Sequence, residues 1–270
     1  MMNVVCVGDC GVDLYLPSND KFFGGITANF ARHARSEFPA DDAIHIISAV
    51  GDDDGTSLVL SALDDSGIEC HISRLPGTTP VQFIEVQPDG ERKFVRYEAG
   101  VLGDFRIGDE ERRIIQHSDL LVAPVYLQIV GLFDELMSIR TPGLTSIDFA
   151  DFLQHPDFEL LERHIDAIDI GFFGLSADDV AAIKRIEKLA KEHDKLFVIT
   201  LGADGSRACC GDRQFNCPAD PVDKVVDTTG AGDAFAAGFL SRHCHGHGIR
   251  ESLKSGARLA ALVVQRHGSV

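Results

Sequence analysis

Residues 225–239 read VVDTTGAGDAFAAGF, in which the end of an apolar run is followed by a glycine turn and then by small and apolar residues at helical spacing. This pattern predicts a strand end, a turn and a helix that begins at the turn. Gly230 and Gly232 allow the backbone to approach an anion closely. The free N–H groups of residues 230–233 and the helix dipole together provide a site suited to phosphate.

Asp233 is an unexpected residue at such a helix start, because its carboxylate repels phosphate. A carboxylate is useful there when a proton must be removed, as it must from a hydroxyl that attacks a γ-phosphoryl group. We therefore interpret Asp233 as a general base. The alternative is that Asp233 satisfies first-turn N–H groups, as Asp does at many helix starts. The sequence contains neither G-x-x-x-x-G-K-[ST] nor G-x-G-x-x-G, so no other phosphate motif competes for this turn.

The rest of the chain alternates between short apolar runs rich in β-branched residues and longer amphipathic stretches, which favours an α/β fold with a mostly parallel sheet. We expect one large domain over residues 1–270. Strands are predicted at 4–7, 43–50, 120–122, 145–148, 168–172 and 196–201, and helices at 56–65, 109–116, 130–139, 177–193 and 249–266.

One segment does not follow this alternation of apolar runs and amphipathic stretches. Residues 81–87 and 91–97 alternate in polarity around Pro88-Asp89-Gly90, which predicts a hairpin. With residues 12–16 it could form a small second sheet over the carboxyl ends of the main strands, where open α/β folds bind ligands. An edge hairpin without a role is the alternative. Residues 209–217 predict a further edge hairpin.

Composition narrows the possible partners. The chain has 270 residues, of which 44% are hydrophobic and 25% charged, and its net charge is −17. Such a charge argues against nucleic acid and anionic membranes as partners. The sequence shows no basic leader and no apolar run of about 20 residues, so we expect a cytoplasmic protein. Its seven cysteines, without C-x-x-C pairs, are expected to be reduced thiols.

The string Asp227-Thr-Thr-Gly-Ala-Gly-Asp233-Ala-Phe resembles the carboxyl-terminal signature of the PfkB/ribokinase-like carbohydrate kinases. Residues 24–31, GGITANFA, resemble the family's sugar-binding segment, and residues 8–13 resemble its first strand and turn. Similar strings at 51–55, 200–205 and 266–268 extend the resemblance over the whole chain. It implies a ribokinase-like three-layer α/β/α fold with a small β-sheet lid and ATP-dependent transfer of a γ-phosphate to a hydroxyl of a small sugar.

The resemblance also implies roles for individual residues. Asn29 has an alternative role as a helix cap, and the small residues assigned to adenine would equally permit close helix packing. By similarity, Asp233 is the base; Gly230, Ala231 and Gly232 form the anion hole; Asp13, Gly25 and Asn29 contact the acceptor; Thr200, Gly202 and Gly205 form the ATP-side loop; and Ser255, Gly256 and Ala260 leave room for adenine.

Two metal sites are implied, with less direct support. The family often carries an N-x-x-E motif that organises Mg²⁺, but residues 171–179 contain no Asn. Asp178 or Asp179 could substitute, or could simply interact with a helix dipole. Family members also build a monovalent-cation site, for K⁺ for example, from residues equivalent to Asp227, Thr229, Arg266 and Gly268.

Two clusters invite a metal interpretation that we do not favour. Residues 243–247, HCHGH, contain good zinc ligands, but His residues near a helix C-terminus are favoured by the dipole alone. Asp52-Asp53-Asp54 is interpreted as a cap of the helix that follows it.

Within the family, residues 8–15 and 148–151 look most like the fructosamine (fructoselysine) 6-kinases. Asp148 ends a predicted strand, so its carboxylate should point into the cleft, where Asp148 or Asp151 would bind the ammonium group of the acceptor. The alternative is that Asp148 is an ordinary residue between a strand and a loop. The alternatives are a kinase of another ketose, a pentose or a nucleoside, and a non-catalytic binding module. We also expect a homodimer formed through the hairpin.

Overall fold

The computed structural model describes residues 1–86, 92–150, 152 and 156–269. In chain order its strands and helices are β1 (Asn3–Val7), β2 (Gly11–Leu16), β3 (Asp20–Gly24), α1 (Ile26–Glu37), β4 (Ala43–Val50), α2 (Asp54–Leu63), β5 (Glu69–Arg74), β6 (Val81–Val86), β7 (Arg92–Glu98), α3 (Asp109–Gln116), β8 (Leu120–Pro124), α4 (Val130–Met137), β9 (Leu144–Phe149), α5 (Phe158–His164), β10 (Ile170–Gly174), α6 (Val180–Glu192), β11 (Leu196–Thr200), β12 (Ser206–Cys210), β13 (Arg213–Cys217), α7 (Ala231–Cys244) and α8 (Ile249–Val263).

The central sheet has nine strands in the order β13-β12-β11-β10-β9-β8-β1-β4-β5. From β11 to β5 all neighbours pair in parallel, and β12 and β13 form an antiparallel hairpin at one edge. Parallel strands are covered on both faces, which explains why β8, and β1 after its exposed first residue Asn3, are apolar and buried. The predicted α/β class and the hairpin at 209–217 are confirmed.

Two hydrophobic cores lie on opposite faces of this sheet. Alternate residues of β4 point to opposite faces, so that Ile44 and Ile46 join one core while Ile47 and Ala49 join the other. Helices α1, α2, α7 and α8 contribute to the first core, and α3 to α6 to the second. The result is the three-layer arrangement that the resemblance implied.

A second, four-stranded sheet has the order β3-β2-β6-β7. Strand β2 pairs with β6 in parallel, whereas β3 pairs with β2 and β7 with β6 in antiparallel fashion. The smaller sheet expected from residues 12–16 and the hairpin strands is confirmed. The predicted turn at Pro88-Asp89-Gly90 lies outside the described residues.

Several elements differ from the sequence-based predictions. Helix α6 begins at Val180 rather than 177, because residues 176–179 form a turn in which the Asp179 carboxylate accepts the Ser176 N–H at 2.9 Å. Strands β3 and β5 and helices α1 and α5 were not predicted. The polar edge strand β5 and the small buried residues of α1 lack a clear apolar periodicity. In the described part of the chain, every helix is too short or too polar to cross a membrane.

Candidate active site

A cleft of about 330 Å³ lies between the small sheet and the carboxyl ends of the central strands. Open α/β folds bind ligands at this edge, where loops that follow successive parallel strands meet. The small sheet contributes residues of β2, β6 and β7, the central layers contribute the loops after β1, β8 and β9, and the glycine turn before α7 closes the floor. Of the residues predicted from the sequence, the cleft is lined by Asp13, Gly25, Asn29, Thr229, Gly230 and Asp233.

Helix α7 begins at the glycine turn, as the sequence predicts. Gly230 precedes it with φ +77°, and a β-carbon there would lie 2.6 Å from the Ser269 β-carbon, so only glycine fits. A β-carbon at Gly232 would meet nothing within 4 Å. Ala231 and Gly232 form the start of the helix, where N–H groups lack intrahelical partners. The turn therefore combines a backbone shape that requires glycine at Gly230 with open space beside Gly232, while the Ala231 N–H donates to the Thr228 carbonyl at 3.2 Å.

Asp233 lies in the first turn of α7, is 8% exposed and borders the cleft. Its Oδ2 accepts a hydrogen bond from Asn29 Nδ2 at 2.9 Å. The capping alternative would require this carboxylate to accept a hydrogen bond from a first-turn N–H group. Among the described residues it accepts none of that kind. The carboxylate is instead oriented by a side chain 204 residues away in sequence.

Asn29 is the fourth residue of α1, so its interpretation as a helix cap is wrong. Its Oδ1 accepts a hydrogen bond from Ser269 Oγ at 2.8 Å. The helix start is bound by Asp9 instead, whose carboxylate accepts the N–H groups of Ile26 and Thr27 at 3.1 Å each. Sequence reasoning missed Asp9 and Ser269. The only local signal was the position of Asp9 directly after the first buried strand.

The site concentrates buried carboxyl groups. Burial, followed by the negative charges of Asp9 and Asp227, raises the pKa of Asp13 to about 7. Burial, with a smaller contribution from Asp9, raises the pKa of Asp148 to about 7. The pKa of Asp233 is raised well above its usual range by burial and by the charge of Asp148, although the Asn29 hydrogen bond acts in the opposite direction. Carboxyl groups with such pKa values can exchange protons near neutral pH.

The expectation that Asp148 points into the cleft is not what the structure shows. Asp148 borders a second, small cavity together with Asp233, Phe172 and residues of α1 and α7. Strand side chains alternate between the faces of a sheet, and this alternation turns Asp148 toward the helices that flank Asp233. Ala150 lines the main cleft from the same segment. Asp151 lies outside the described residues.

The predicted ATP-side loop follows β11. Leu201 N–H donates to the Gly205 carbonyl at 2.8 Å, and Gly202 and Gly205 have φ values of +56° and +91°. A β-carbon at Gly202 would meet nothing within 4 Å. Thr200, at the end of β11, is half-buried, and these residues lie outside the lining of the main cleft. The loop therefore has the glycine conformations of a tight turn beside open space.

Gly256 does not open space for a ligand. A β-carbon there would lie 2.7 Å from the Phe235 carbonyl oxygen, so this glycine allows α7 and α8 to pack closely. Helix packing, the alternative given above, accounts for it. Ala260 is half-buried on the same helix, and the buried Ser255 Oγ has no hydrogen-bond partner among the described residues.

The residues proposed for a monovalent cation come together in part. Asp227 is buried, and its carboxylate accepts the N–H groups of Thr229 and Gly268 at 3.0 Å each. The Tyr15 hydroxyl donates to the same carboxylate at 3.4 Å. Arg266 is exposed. These contacts join the turn before α7 to the carboxyl-terminal segment that carries Ser269.

Asp178 and Asp179 lie outside the cleft lining, in the exposed turn that precedes α6. The helix begins directly after Asp179, which favours the dipole interpretation over a substitute for the family's Mg²⁺ motif. In the described residues the structure therefore does not bring the predicted Mg²⁺ residues to the cleft.

The histidine-rich segment at the end of α7 forms no metal cluster in the residues described. His245 pairs with Asp42 at 2.9 Å, and His247 pairs with Glu251 at 3.2 Å. Asp53 occupies the position before α2, as expected, but its carboxylate accepts hydrogen bonds from Thr79 rather than capping the helix.

The turn, the buried Asp233 carboxylate and the cleft at the carboxyl ends of the strands agree with the comparisons to known proteins. Residues 159–270, which contain the turn and Asp233, match the pfkB family carbohydrate kinases. This match and the kinases among the relatives support a sugar kinase phosphotransferase.

The most similar relatives extend over the whole chain. It is 28% identical to a fructoselysine 6-kinase of Shigella flexneri, with 100% of both chains covered. It is also 28% identical to the fructosamine kinase FrlD of Bacillus subtilis, covering 99% of this chain and 93% of the relative. An adenosine kinase from Sinorhizobium meliloti shares the fold with a TM-score of 0.85 at 22% identity, over 99% of this chain and 95% of that one. A Thermotoga maritima ribokinase gives 0.79 at 22% identity, over 100% and 95%.

Proposed function

We propose that this kinase phosphorylates an amine-bearing ketose of the fructosamine type, with Asp233 as the general base. The observation that carries the catalytic assignment is the position of Asp233. A buried carboxylate borders the acceptor cleft at the helix start whose free N–H groups suit a phosphate. A base at this place can take the proton of the acceptor hydroxyl while the N–H groups of Gly230, Ala231 and Gly232 stabilise the transferring phosphoryl group.

The raised pKa of Asp233 supports this role. A base whose pKa is closer to the working pH takes up a proton more readily than an ordinary aspartate does. Asn29 donates to one carboxylate oxygen, which leaves the other oxygen for the substrate hydroxyl. Asp233 is therefore oriented by Asn29 and able to accept a proton from the acceptor hydroxyl.

Acceptor binding is assigned to β2 and the start of α1. Asp13, 6% exposed, borders the cleft from β2, and Gly25 and Asn29 border it from the start of α1. A β-carbon at Gly24 would collide with the Asp13 carboxylate, so the glycine leaves room for that side chain. A carboxylate accepts hydrogen bonds from two neighbouring hydroxyls, which suits a sugar.

The acidic lining supports the amine-bearing acceptor. Asp9, Asp13 and Asp233 all border the cleft, and Arg96 is the one basic side chain among its described lining residues. The negative potential of these carboxylates attracts an ammonium group on the acceptor and repels an anionic group there. The fructoselysine and fructosamine relatives point to the same acceptor class.

The nucleotide is assigned to the side of Thr200, Gly202 and Gly205. Ser255 and Ala260 are assigned to its adenine ring. When bound with ATP, Mg²⁺ would neutralise charge on the phosphates. A K⁺ ion remains part of the proposal through Asp227, Thr229 and the Gly268 segment. We also propose that the enzyme acts in the cytoplasm.

A panel of acceptors tests the substrate class. ATP consumption is measured with fructoselysine, fructose, ribose, adenosine and 2-dehydro-3-deoxygluconate at equal concentrations. The proposal expects the highest kcat/KM for fructoselysine. Preference for a neutral ketose, pentose or nucleoside would overturn the amine assignment and leave the kinase standing, whereas no turnover with any acceptor would favour a binding module.

We further propose that the small sheet forms a lid that mediates homodimerisation. Phe22, Phe94 and Val95 of this sheet are 46%, 49% and 45% exposed, an unusual exposure for such large side chains. Light scattering should show a dimer that the Phe22→Ser substitution weakens. A fully active monomer at micromolar concentration would refute the assembly.

A further inference from the structure

Three potential metal ligands meet at the free edge of the central sheet. His45 lies on β4, and Glu69 and His71 lie on β5, the edge strand. The parallel register pairs His45 with Glu69 and Ile47 with His71. Residues two apart on a strand share a face, so all three side chains project on the same side of the sheet. None of them lines the proposed active-site cleft.

The distances between the potential ligand atoms match those between two ligands of one metal ion. His45 Nδ1 lies 3.3 Å from His71 Nε2 and 3.4 Å from Glu69 Oε2. Ligands about 2.0–2.2 Å from a tetrahedral Zn²⁺ are about 3.3–3.5 Å apart. The two imidazole rings stack with their centroids 5.5 Å apart and an interplanar angle of 21°. Among the described residues, this is the one group of three His, Cys, Asp or Glu ligand atoms that all lie within 4.8 Å of each other.

The surroundings leave a coordination position open. The His45 side chain is 15% exposed, whereas that of Glu69 is 62% exposed. His45 is therefore held by the sheet, while Glu69 opens the cluster to solvent and to water as a fourth ligand.

We propose that His45, Glu69 and His71 bind a divalent transition-metal ion, for which Zn²⁺ is the best match. Two imidazoles and one carboxylate suit borderline ions such as Zn²⁺ better than Mg²⁺ or Ca²⁺, which prefer all-oxygen sites. The ion would join the edge strand β5 to β4. An edge strand has one neighbour only, so a metal link adds a second attachment where the sheet is most exposed.

The test is Zn²⁺ binding to the full chain after removal of metals with a chelator, measured by competition with a chromophoric indicator. Wild type should bind one Zn²⁺ that Glu69→Gln and His71→Gln each weaken at least about tenfold, because loss even of a group that only supports a ligand costs 10–100-fold. Glu69 is exposed, so Glu69→Gln should fold normally, and Zn²⁺ should raise the Tm of wild type but not of this variant.

Two matched variants separate this site from other Zn²⁺ ligands. Cys70→Ser tests the exposed thiol between the two β5 ligands, and His247→Gln tests an exposed His–Glu pair elsewhere. Neither should change the affinity by more than about twofold, a difference of about 0.4 kcal/mol. Co²⁺ bound at the site should show four-coordinate visible absorption without thiolate charge transfer. No stoichiometric binding in wild type, equal binding in Glu69→Gln, or loss through Cys70→Ser would overturn the proposal.

Discussion

The substitution Asp233→Asn tests the central assignment most directly. Asparagine has the same shape, and its amide oxygen can still accept the hydrogen bond that Asn29 Nδ2 donates at 2.9 Å. The backbone turn at Gly230 is unaffected. The variant therefore loses the ability to take a proton and little else. General-base contributions of about 10²–10⁴-fold predict a kcat lower by that factor, equivalent to about 2.7–5.5 kcal/mol of transition-state stabilisation.

The folded state should tolerate this change. Asp233 is buried near Asp148, so its charged form is unfavourable, and the neutral amide removes that repulsion. We expect the Tm at pH 8 to be unchanged or higher, and the Kd for ATP, measured by calorimetry without acceptor, to change less than about threefold, or about 0.65 kcal/mol. Asp109→Asn is the matched control, because Asp109 is also a first-turn aspartate but is exposed on α3.

The two interpretations of Asp233 give different results. If Asp233 only satisfied helix N–H groups, Asn would replace it with little loss, since Asn and Asp cap helices equally well. The control variant should retain wild-type turnover. A kcat within tenfold of wild type for Asp233→Asn, with the fold intact, would refute the general-base assignment.

Four further outcomes are expected. Asp13→Asn should raise KM for the acceptor by about tenfold or more, as expected for loss of a charged hydrogen bond, while leaving the Kd for ATP unchanged; equal effects on both ligands would contradict the acceptor role. In wild type, kcat/KM should rise with pH through about 7, where Asp13 loses its proton, and a profile flat from pH 5 to 8 would argue against it. Ser269→Ala should lower kcat several-fold with little change in KM, because it frees the amide of Asn29 that holds the base, whereas Ser269→Thr should restore part of the activity. Asp148 has a folded pKa of about 7 against about 3.9 unfolded, so the folded state binds the extra proton and wild-type stability should fall as pH rises from about 4 to 7; Asp148→Asn should show a smaller decline in urea unfolding, because Asp13 keeps its own contribution, and identical pH dependence in both proteins would contradict it.

The sequence alone determined the class of fold and the chemistry of the turn. Strand and helix periodicities are local, so the alternation of β1, β4 and β8 with helices predicted a parallel sheet without knowledge of contacts. The glycine turn is also a local feature. Gly230 has a positive φ that glycine adopts readily, and Asp233 follows it at a fixed spacing in the first turn of the helix. These features depend on residues that are consecutive in the sequence, which is why they could be predicted.

Only the tertiary structure decided how the site is held together. The chain of hydrogen bonds from Ser269 to Asn29 to Asp233 joins residues 240 and 204 positions apart, and no local pattern encodes such contacts. The direction of Asp148 depended on which face of β9 meets α1 and α7, so the prediction from its position at a strand end was wrong. Elements with weak periodicity, such as β5, take their conformation from a neighbouring strand, because edge pairing supplies hydrogen bonds that the local sequence does not specify.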